Sequence, residues 1–183
     1  IKSLAQNILR HPVNIDTSPE TLTVEAINQF VFKVDKSRKA ELIIKLIKDG
    51  AWDQVLVFTR TKHGANNLCK KMKSCDINAM AIHGNKSQTA RTKALAGFKD
   101  GSVNVLVATD IAARGIDVSD ISLVVNFDLP QVAEDYVHRI GRTGRARKSG
   151  KAISFVTREQ KYDVKKIERF IRKSLPILAL PQL

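Results

Sequence analysis

The chain has 183 residues, 43% hydrophobic and 27% charged, which fits one compact domain and excludes an intrinsically disordered polymer. Its 31 Lys and Arg against 18 Asp and Glu leave a formal charge of +13, which favours a polyanionic partner such as nucleic acid without naming an activity. No apolar run approaches the roughly 18 residues of a membrane span, and the 2 cysteines, Cys69 and Cys75, are too few for a disulfide framework.

In chain order, Ile1-Lys2-Ser3-Leu4-Ala5 lacks an initiator Met and an apolar signal core, so it reads as a fragment boundary. Residues 1–20 hold a short helical piece, then His11-Pro12 and Ser18-Pro19, which read as an extended linker. Ile27 to Val34 alternates and predicts an edge or partly exposed strand. Lys36 to Asp49 predicts a helix with Leu42, Ile43, Leu46 and Ile47 on one face and Gly50 placed to end it. Continuous apolar runs at Val55–Phe58, Ala79–Ile82, Val103–Ala108, Leu123–Val125 and Ala152–Val156 predict strands buried on both faces of a parallel sheet.

Between these runs, Thr61–Ser74, Ser87–Lys99 and Gln131–Ile140 predict helices. Arg158–Lys173 predicts the last one, with Val164, Ile167, Phe170 and Ile171 at helical spacing. From Pro176 a tail with two prolines has no helical pattern. Strands alternating with helices at this pace predict an α/β domain, mostly parallel, with helices on both sheet faces.

Ligands of open α/β sheets bind beyond the carboxyl ends of the strands. There the sequence places Thr59-Arg60-Thr61-Lys62-His63-Gly64, then His83-Gly84-Asn85-Lys86-Ser87-Gln88 ahead of Arg91, then Thr109-Asp110-Ile111-Ala112-Ala113-Arg114-Gly115-Ile116-Asp117. Hydroxyls, small residues and cations at three successive strand ends suit phosphate groups, which need close backbone approach and fixed positive charge. Any one of these loops alone is also explained by helix capping and turn chemistry.

The densest signal is His138-Arg139-Ile140-Gly141-Arg142-Thr143-Gly144-Arg145-Ala146-Arg147-Lys148, part of a run of six basic residues through Lys151 that contains no acid. Such a run is commonly a solvated loop. Here Arg142 and Arg145 flank Thr143-Gly144, a spacing that lets both guanidinium groups converge from one tight turn, and the planar arginine fork suits phosphate oxygens. Converging arginines fit transition-state stabilisation of phosphoryl transfer. The chain contains no Gly-x-x-x-x-Gly-Lys-Ser/Thr loop and no acidic pair on a strand to hold Mg²⁺, so a nucleotide site built here is half a site.

Four strings, Val57-Phe58-Thr59-Arg60-Thr61, Ser87-Gln88-Thr89-Ala90-Arg91, Ala108 to Asp117, and His138 to Arg145, stand in order and at fitting spacings. They resemble motif IV, the glutamine–arginine motif, motif V and motif VI of the C-terminal RecA-like lobe of DEAD-box RNA helicases. Within that family, Phe58 to Asn66 and His83 to Gln88 look most like the bacterial RhlE type.

The resemblance implies a three-layer RecA-like domain over residues 21–175, with residues 1–20 as the end of an N-terminal lobe plus linker and 176–183 as the start of a tail. It implies ATP with Mg²⁺, the metal held mainly by that N-terminal lobe, and a monomer in the bacterial cytoplasm. It places Arg142 and Arg145 at the γ-phosphate, Gly115 and Asp117 at the ribose, and Thr61, Gly84, Arg91 and Thr109 on single-stranded RNA. Gln88 and His138 would couple the two ligand edges. Arg114 and Arg139 are assigned first to pairing with Asp110 or another carboxylate.

The implied activity is ATP-driven local unwinding of RNA with little sequence preference, and the chain alone would be inert. Two other readings stand beside it: an RNA-binding module without ATPase activity, and the second lobe of a DNA-directed helicase of superfamily 2.

Overall fold

The computed structural model describes residues 27–50, 52–114, 116, 118, 120–144 and 150–182. Among them, seven strands form one all-parallel sheet in the order β3-β4-β2-β5-β6-β1-β7. In chain order these are β1 (Ile27–Lys33), β2 (Val55–Phe58), β3 (Ala79–Ile82), β4 (Val105–Ala108), β5 (Leu123–Asn126), β6 (Gly150–Val156) and β7 (Ile177–Leu178). The helices are α1 (Lys39–Asp49), α2 (Lys62–Lys73), α3 (Gln88–Lys99), α4 (Asp110–Ala113), α5 (Ala133–Ile140) and α6 (Lys161–Ile171). The predicted α/β class with helices on both faces is the architecture observed.

Every residue of β2, β4 and β5 is buried, as their unbroken apolar runs require. Alternate side chains serve opposite faces. Val55, Val57, Val105 and Val107 pack under α1 and α2 with Leu42, Ile43, Leu68 and Met72. Leu56, Phe58, Leu106 and Ala108 pack with Ala94 and Phe98 of α3 on the other face. A third cluster joins Ile27, Val31, Ala152 and Val156 to Tyr136 and Ile140 of α5 and Ile167 and Ile171 of α6.

Several elements differ from the sequence prediction. The helix expected from Lys36 begins with a 3₁₀ turn, Lys36–Arg38, before α1. Gly50 ends it in extended backbone (φ −102°), not in the left-handed form; a Cβ there would run into the Trp52 indole, which donates to the Leu46 carbonyl at 3.0 Å. The strand expected from Val103 starts at Val105, because Val103 N–H caps the Gly97 carbonyl at 2.8 Å instead. The helix expected from Gln131 starts at Ala133, and the one expected over Arg158–Lys173 divides into a 3₁₀ turn (Arg158–Gln160) and α6, which Arg172 ends in left-handed backbone.

Phe170, placed on the apolar face of that helix by spacing, is 45% exposed, whereas Ile167 and Ile171 are buried. The Asp110 segment, expected as a loop, makes one helical turn. β1 is not an edge strand: β7, formed from the proline-bounded tail, pairs with it, and Val31 N–H donates to the Pro176 carbonyl at 2.9 Å. Cys69 is buried and Cys75 half-buried, both free thiols. No helix among the described residues is long and apolar enough to cross a membrane. The linker read over residues 1–20 lies outside the described residues.

Candidate functional site

The parallel register aligns Ile82, Ala108 and Phe58 at the ends of β3, β4 and β2. The three strand-end loops singled out in the sequence therefore leave one edge of the sheet side by side. Thr109 N–H donates to the Ile82 carbonyl at 3.3 Å, and Thr59 N–H to the Ala108 carbonyl at 3.0 Å, which locks the loop origins together.

Thr61 caps α2, its Oγ1 accepting from Gly64 N–H at 3.0 Å, so its hydroxyl is fixed at the helix N-terminus. Ser87 caps α3 in the same way, accepting from Ala90 N–H at 3.2 Å, and this sets Gln88 and Arg91 on the first turn. Arg91 is half-buried, and its Nε is buried with no hydrogen-bond partner. A guanidinium nitrogen left in that state costs free energy until an acceptor arrives. Gly84 is exposed, and a Cβ added there meets nothing within 4 Å. The fold itself therefore has no steric need for glycine at this position.

His83 lies beneath this edge, 2% exposed, with Nε2 facing Asn66 Oδ1 at 3.1 Å and Nδ1 without a partner. Burial, reinforced by Lys86, Lys62 and His63, lowers its pKa below the ordinary histidine value, so the ring is neutral at pH 7.

Farther along the sheet, Arg139 of α5 is 3% exposed and fully engaged. Its Nε and Nη2 donate to the two Asp110 oxygens at 2.6 and 2.7 Å, and Nη1 donates to Asn126 Oδ1 at 3.0 Å and to the Asp128 carbonyl at 2.7 Å. The guanidinium carbon also sits 4.9 Å from the Phe58 ring centroid. Arg139 thus ties α5 to the ends of β2, β4 and β5; the carboxylate pairing assigned to it in the sequence is what forms. Arg114 pairs with Asp135 at 2.9 Å, but it is 71% exposed, so this bond contributes little to stability.

Arg142 follows α5 and donates from Nη1 to the Ile116 carbonyl at 2.8 Å. With His138, Arg139, Asp110, Arg114 and Asp135 it borders a pocket of about 30 Å³, room for about one water. Thr143, buried, donates from Oγ1 to the Ile121 carbonyl, and Gly144 turns at φ +76° where a Cβ would press on Ile27 and Gly150. This turn aims Arg142 out of α5. Arg145, Gly115 and Asp117, together with Arg147 and Lys148 of the basic run, lie outside the described residues.

The structure therefore groups Thr61, Gly84, Arg91, Thr109 and Gln88 at the β3-β4-β2 ends, and sets His138 with Arg142 around the pocket beside Phe58 and Asp110. Gln88 follows β3, whereas His138 lines this pocket, at the ends of β2 and β4.

Sequence reasoning missed Asp128 and Lys39. Lys39, 3% exposed, donates to the Phe127 carbonyl at 2.7 Å and faces Asp128 Oδ1 at 3.4 Å. Burial lowers its pKa, and Asp128 opposes the shift. Asp128 Oδ2 accepts from Arg60 N–H at 3.0 Å, so this aspartate holds the loop that leads to Thr61. The available signal was an acidic residue two positions past the strand end, in Asn126-Phe127-Asp128-Leu129-Pro130. Among the described residues no group of three His, Cys, Asp or Glu is placed to hold a metal ion.

Residues 38–147 match the family model of the Helicase conserved C-terminal domain. Over all 183 residues the chain is 38% identical to the DEAD-box ATP-dependent RNA helicase CshA of Bacillus licheniformis and spans 38% of that relative's length. It is similar to the Escherichia coli DEAD-box protein SrmB, solved bound to regulator of ribonuclease activity A, with a TM-score of 0.79 and 36% identity over 84% of this chain and 91% of that one. It is also similar to Saccharomyces cerevisiae Dbp5 bound to RNA and ADP BeF3, with a TM-score of 0.84 and 29% identity over 97% of this chain and 48% of that one.

Proposed function

Since this chain belongs to the DEAD-box RNA helicases and forms their C-terminal helicase domain, we propose that it works as the second motor lobe of an ATP-dependent RNA helicase. In this reading Thr61, Gly84, Arg91 and Thr109 hold the phosphates of one RNA strand. Arg142 and Arg145 reach the γ-phosphate of ATP, Gly115 and Asp117 meet the ribose, and an N-terminal lobe supplies the phosphate loop and the Mg²⁺ ligands. The observation that carries it is the shared edge of β3, β4 and β2, where Arg91 Nε is buried without a partner and Gly84 is a glycine the fold does not require. Phosphate oxygens fit both features.

ATP and RNA would each touch both lobes only when these close, so each ligand favours the closed state and so assists the other. Closure would bring Arg142 and Arg145 to the developing charge, where such a group contributes about 10³–10⁵ in rate. In this reading Gln88 and His138 couple the two ligand edges. The RNA and ADP BeF3 bound to Dbp5 support this assignment. The RhlE-type affiliation is proposed on the Phe58–Asn66 and His83–Gln88 strings alone; the relative described above is a CshA.

The test is RNA-stimulated ATP hydrolysis by the two-lobe protein carrying Arg142→Ala or Arg145→Ala. Turnover is expected to fall at least about 10³-fold with the RNA affinity retained. Near-normal turnover in both variants sinks the assignment. Stimulation by DNA equal to that by RNA would instead favour a DNA-directed motor. The isolated chain is expected to hydrolyse no ATP.

A further inference from the structure

The function above leaves the outer face of α6 unused. Tyr162 is 62% exposed and Phe170 45% exposed, and both stand on this one face at eight-residue separation, with Lys166 midway. The Lys166 ammonium lies 4.7 Å from the Tyr162 ring centroid. Lys161, Lys165, Arg169, Arg172 and Lys173 flank the two rings, and all are exposed.

The acids of the helix do not balance this charge. Glu168 is occupied in accepting from Leu175 N–H at 2.8 Å, and Asp163 sits in the first turn, where the helix dipole favours it. The dipole accounts for cations in the last turn but disfavours Lys161 and Lys165 near the start. At the C-terminal end, Lys165, Arg169, Arg172 and Lys173 border an open cleft of about 390 Å³ with Glu168 and Ser174.

We infer that the outer face of α6 is a second RNA-binding surface, on which bases stack against Tyr162 and Phe170 while Lys166, Arg169 and the cleft cations hold phosphates. Single exposed aromatics are ordinary, but two large rings interleaved with cations match the construction of single-strand platforms, which combine a cationic track with ring stacking. An acidic protein segment would use the cations yet leave the flat rings without partners of their own shape.

The two rings lie about 12 Å apart along the helix, so one strand spans both. From β4, which carries Thr109, to β1, beneath α6, the sheet advances four strand spacings, roughly 19 Å. RNA long enough to cross that distance reaches both surfaces, and a short oligomer occupies only one. This inference rests on the RNA-binding reading of the strand-end edge for the first surface and is independent of it for the second.

The experiment measures fluorescence anisotropy of the 183-residue chain with labelled single-stranded RNAs of roughly 6 and roughly 20 nucleotides at several salt concentrations. The longer RNA is expected to bind more tightly. Lys166→Gln with Arg169→Gln should weaken only the longer RNA and reduce its salt slope by about 1.4. Tyr162→Ala with Phe170→Ala should weaken the longer RNA at least about thirtyfold and leave the slope unchanged.

Thermal unfolding of both variants checks that α6 stays docked through Ile167 and Ile171. Equal affinity for the two RNAs, or unchanged binding of the longer one by both folded variants, overturns the inference. Arg91→Ala should weaken both lengths; if it weakens neither while the α6 variants weaken both, the strand-end reading fails and the α6 surface stands.

Discussion

Arg139 and Asp110 form a two-pronged ion pair, with nitrogen–oxygen distances of 2.6 and 2.7 Å, that binds the end of α5 to the residue following Thr109. Because Asn126 also donates to Ser154 Oγ at 3.1 Å, the same guanidinium is linked to β6 as well. The β4 strand end that carries Thr109 and the turn that carries Arg142 are therefore anchored to one buried group.

Arg139→Lys keeps the charge but provides a single ammonium in place of a planar fork, so it leaves two or more acceptors without donors. Unfolding free energy by urea titration is expected to drop by about 3 kcal/mol. A change under about 0.5 kcal/mol would show that the network does not hold the edge.

The two glycines flanking the site should behave oppositely. Gly144→Ala faces positive φ (+76°) and a built Cβ only 2.8 Å from the Ile27 side chain, so it should cost roughly 1–3 kcal/mol of stability. Gly84→Ala meets no atom within 4 Å and should leave the denaturation midpoint unchanged while it weakens RNA binding. A stable Gly84→Ala chain with unaltered RNA affinity would remove Gly84 from the interface.

His83 gives the domain a pH signature. Its folded pKa is depressed by burial below the ordinary 6.5, so as pH falls below that value the unfolded chain takes up the proton first. Stability contributed by the neutral ring is complete above the unfolded pKa and is lost as pH falls toward the folded one. The stability difference between the parent and His83→Asn should therefore shrink from about pH 7.5 to about pH 5. A difference independent of pH would rule out this source.

The thiols should separate cleanly. Burial raises Cys69 to about 11, and it is 6% exposed, whereas Cys75 is half-buried after the end of α2. Alkylation at about pH 8 followed by peptide mass mapping should label Cys75 first and Cys69 only on unfolding. Equal labelling rates in the native chain would contradict the packing of α2.

Much of the fold was legible because its central strands are unbroken apolar runs. Val55–Phe58 and Ala79–Ile82 coincide with β2 and β3 residue for residue; β2 is buried on both faces as its apolar run requires, whereas β3, expected to be buried likewise, stands at the sheet edge with Met80 and Ala81 half-buried. Thr61 and Ser87 marked the starts of α2 and α3 because a capping hydroxyl is a local requirement.

Two-residue β7 was not legible: nothing local favours a strand at Ile177–Leu178, and only the free edge of β1 creates one. Phe170 likewise followed the helical period, yet Ile167 and Ile171 fill the cluster and leave it outside.

In the candidate site, residue types and order were legible in the sequence: hydroxyls, glycine and arginine follow successive strand runs, the set that suits phosphate groups. Which arginine of His138–Arg142 becomes a buried strut and which reaches the Ile116 carbonyl from beyond the helix was decided by tertiary structure. Arg139 lies on the inner face of α5, where Asp110 from the end of β4 meets Asn126 and the Asp128 carbonyl from the end of β5, and Arg142 lies past the helix. Those acceptors are 11 to 29 residues away in the chain, so their meeting depends on sheet order, which no local pattern encodes.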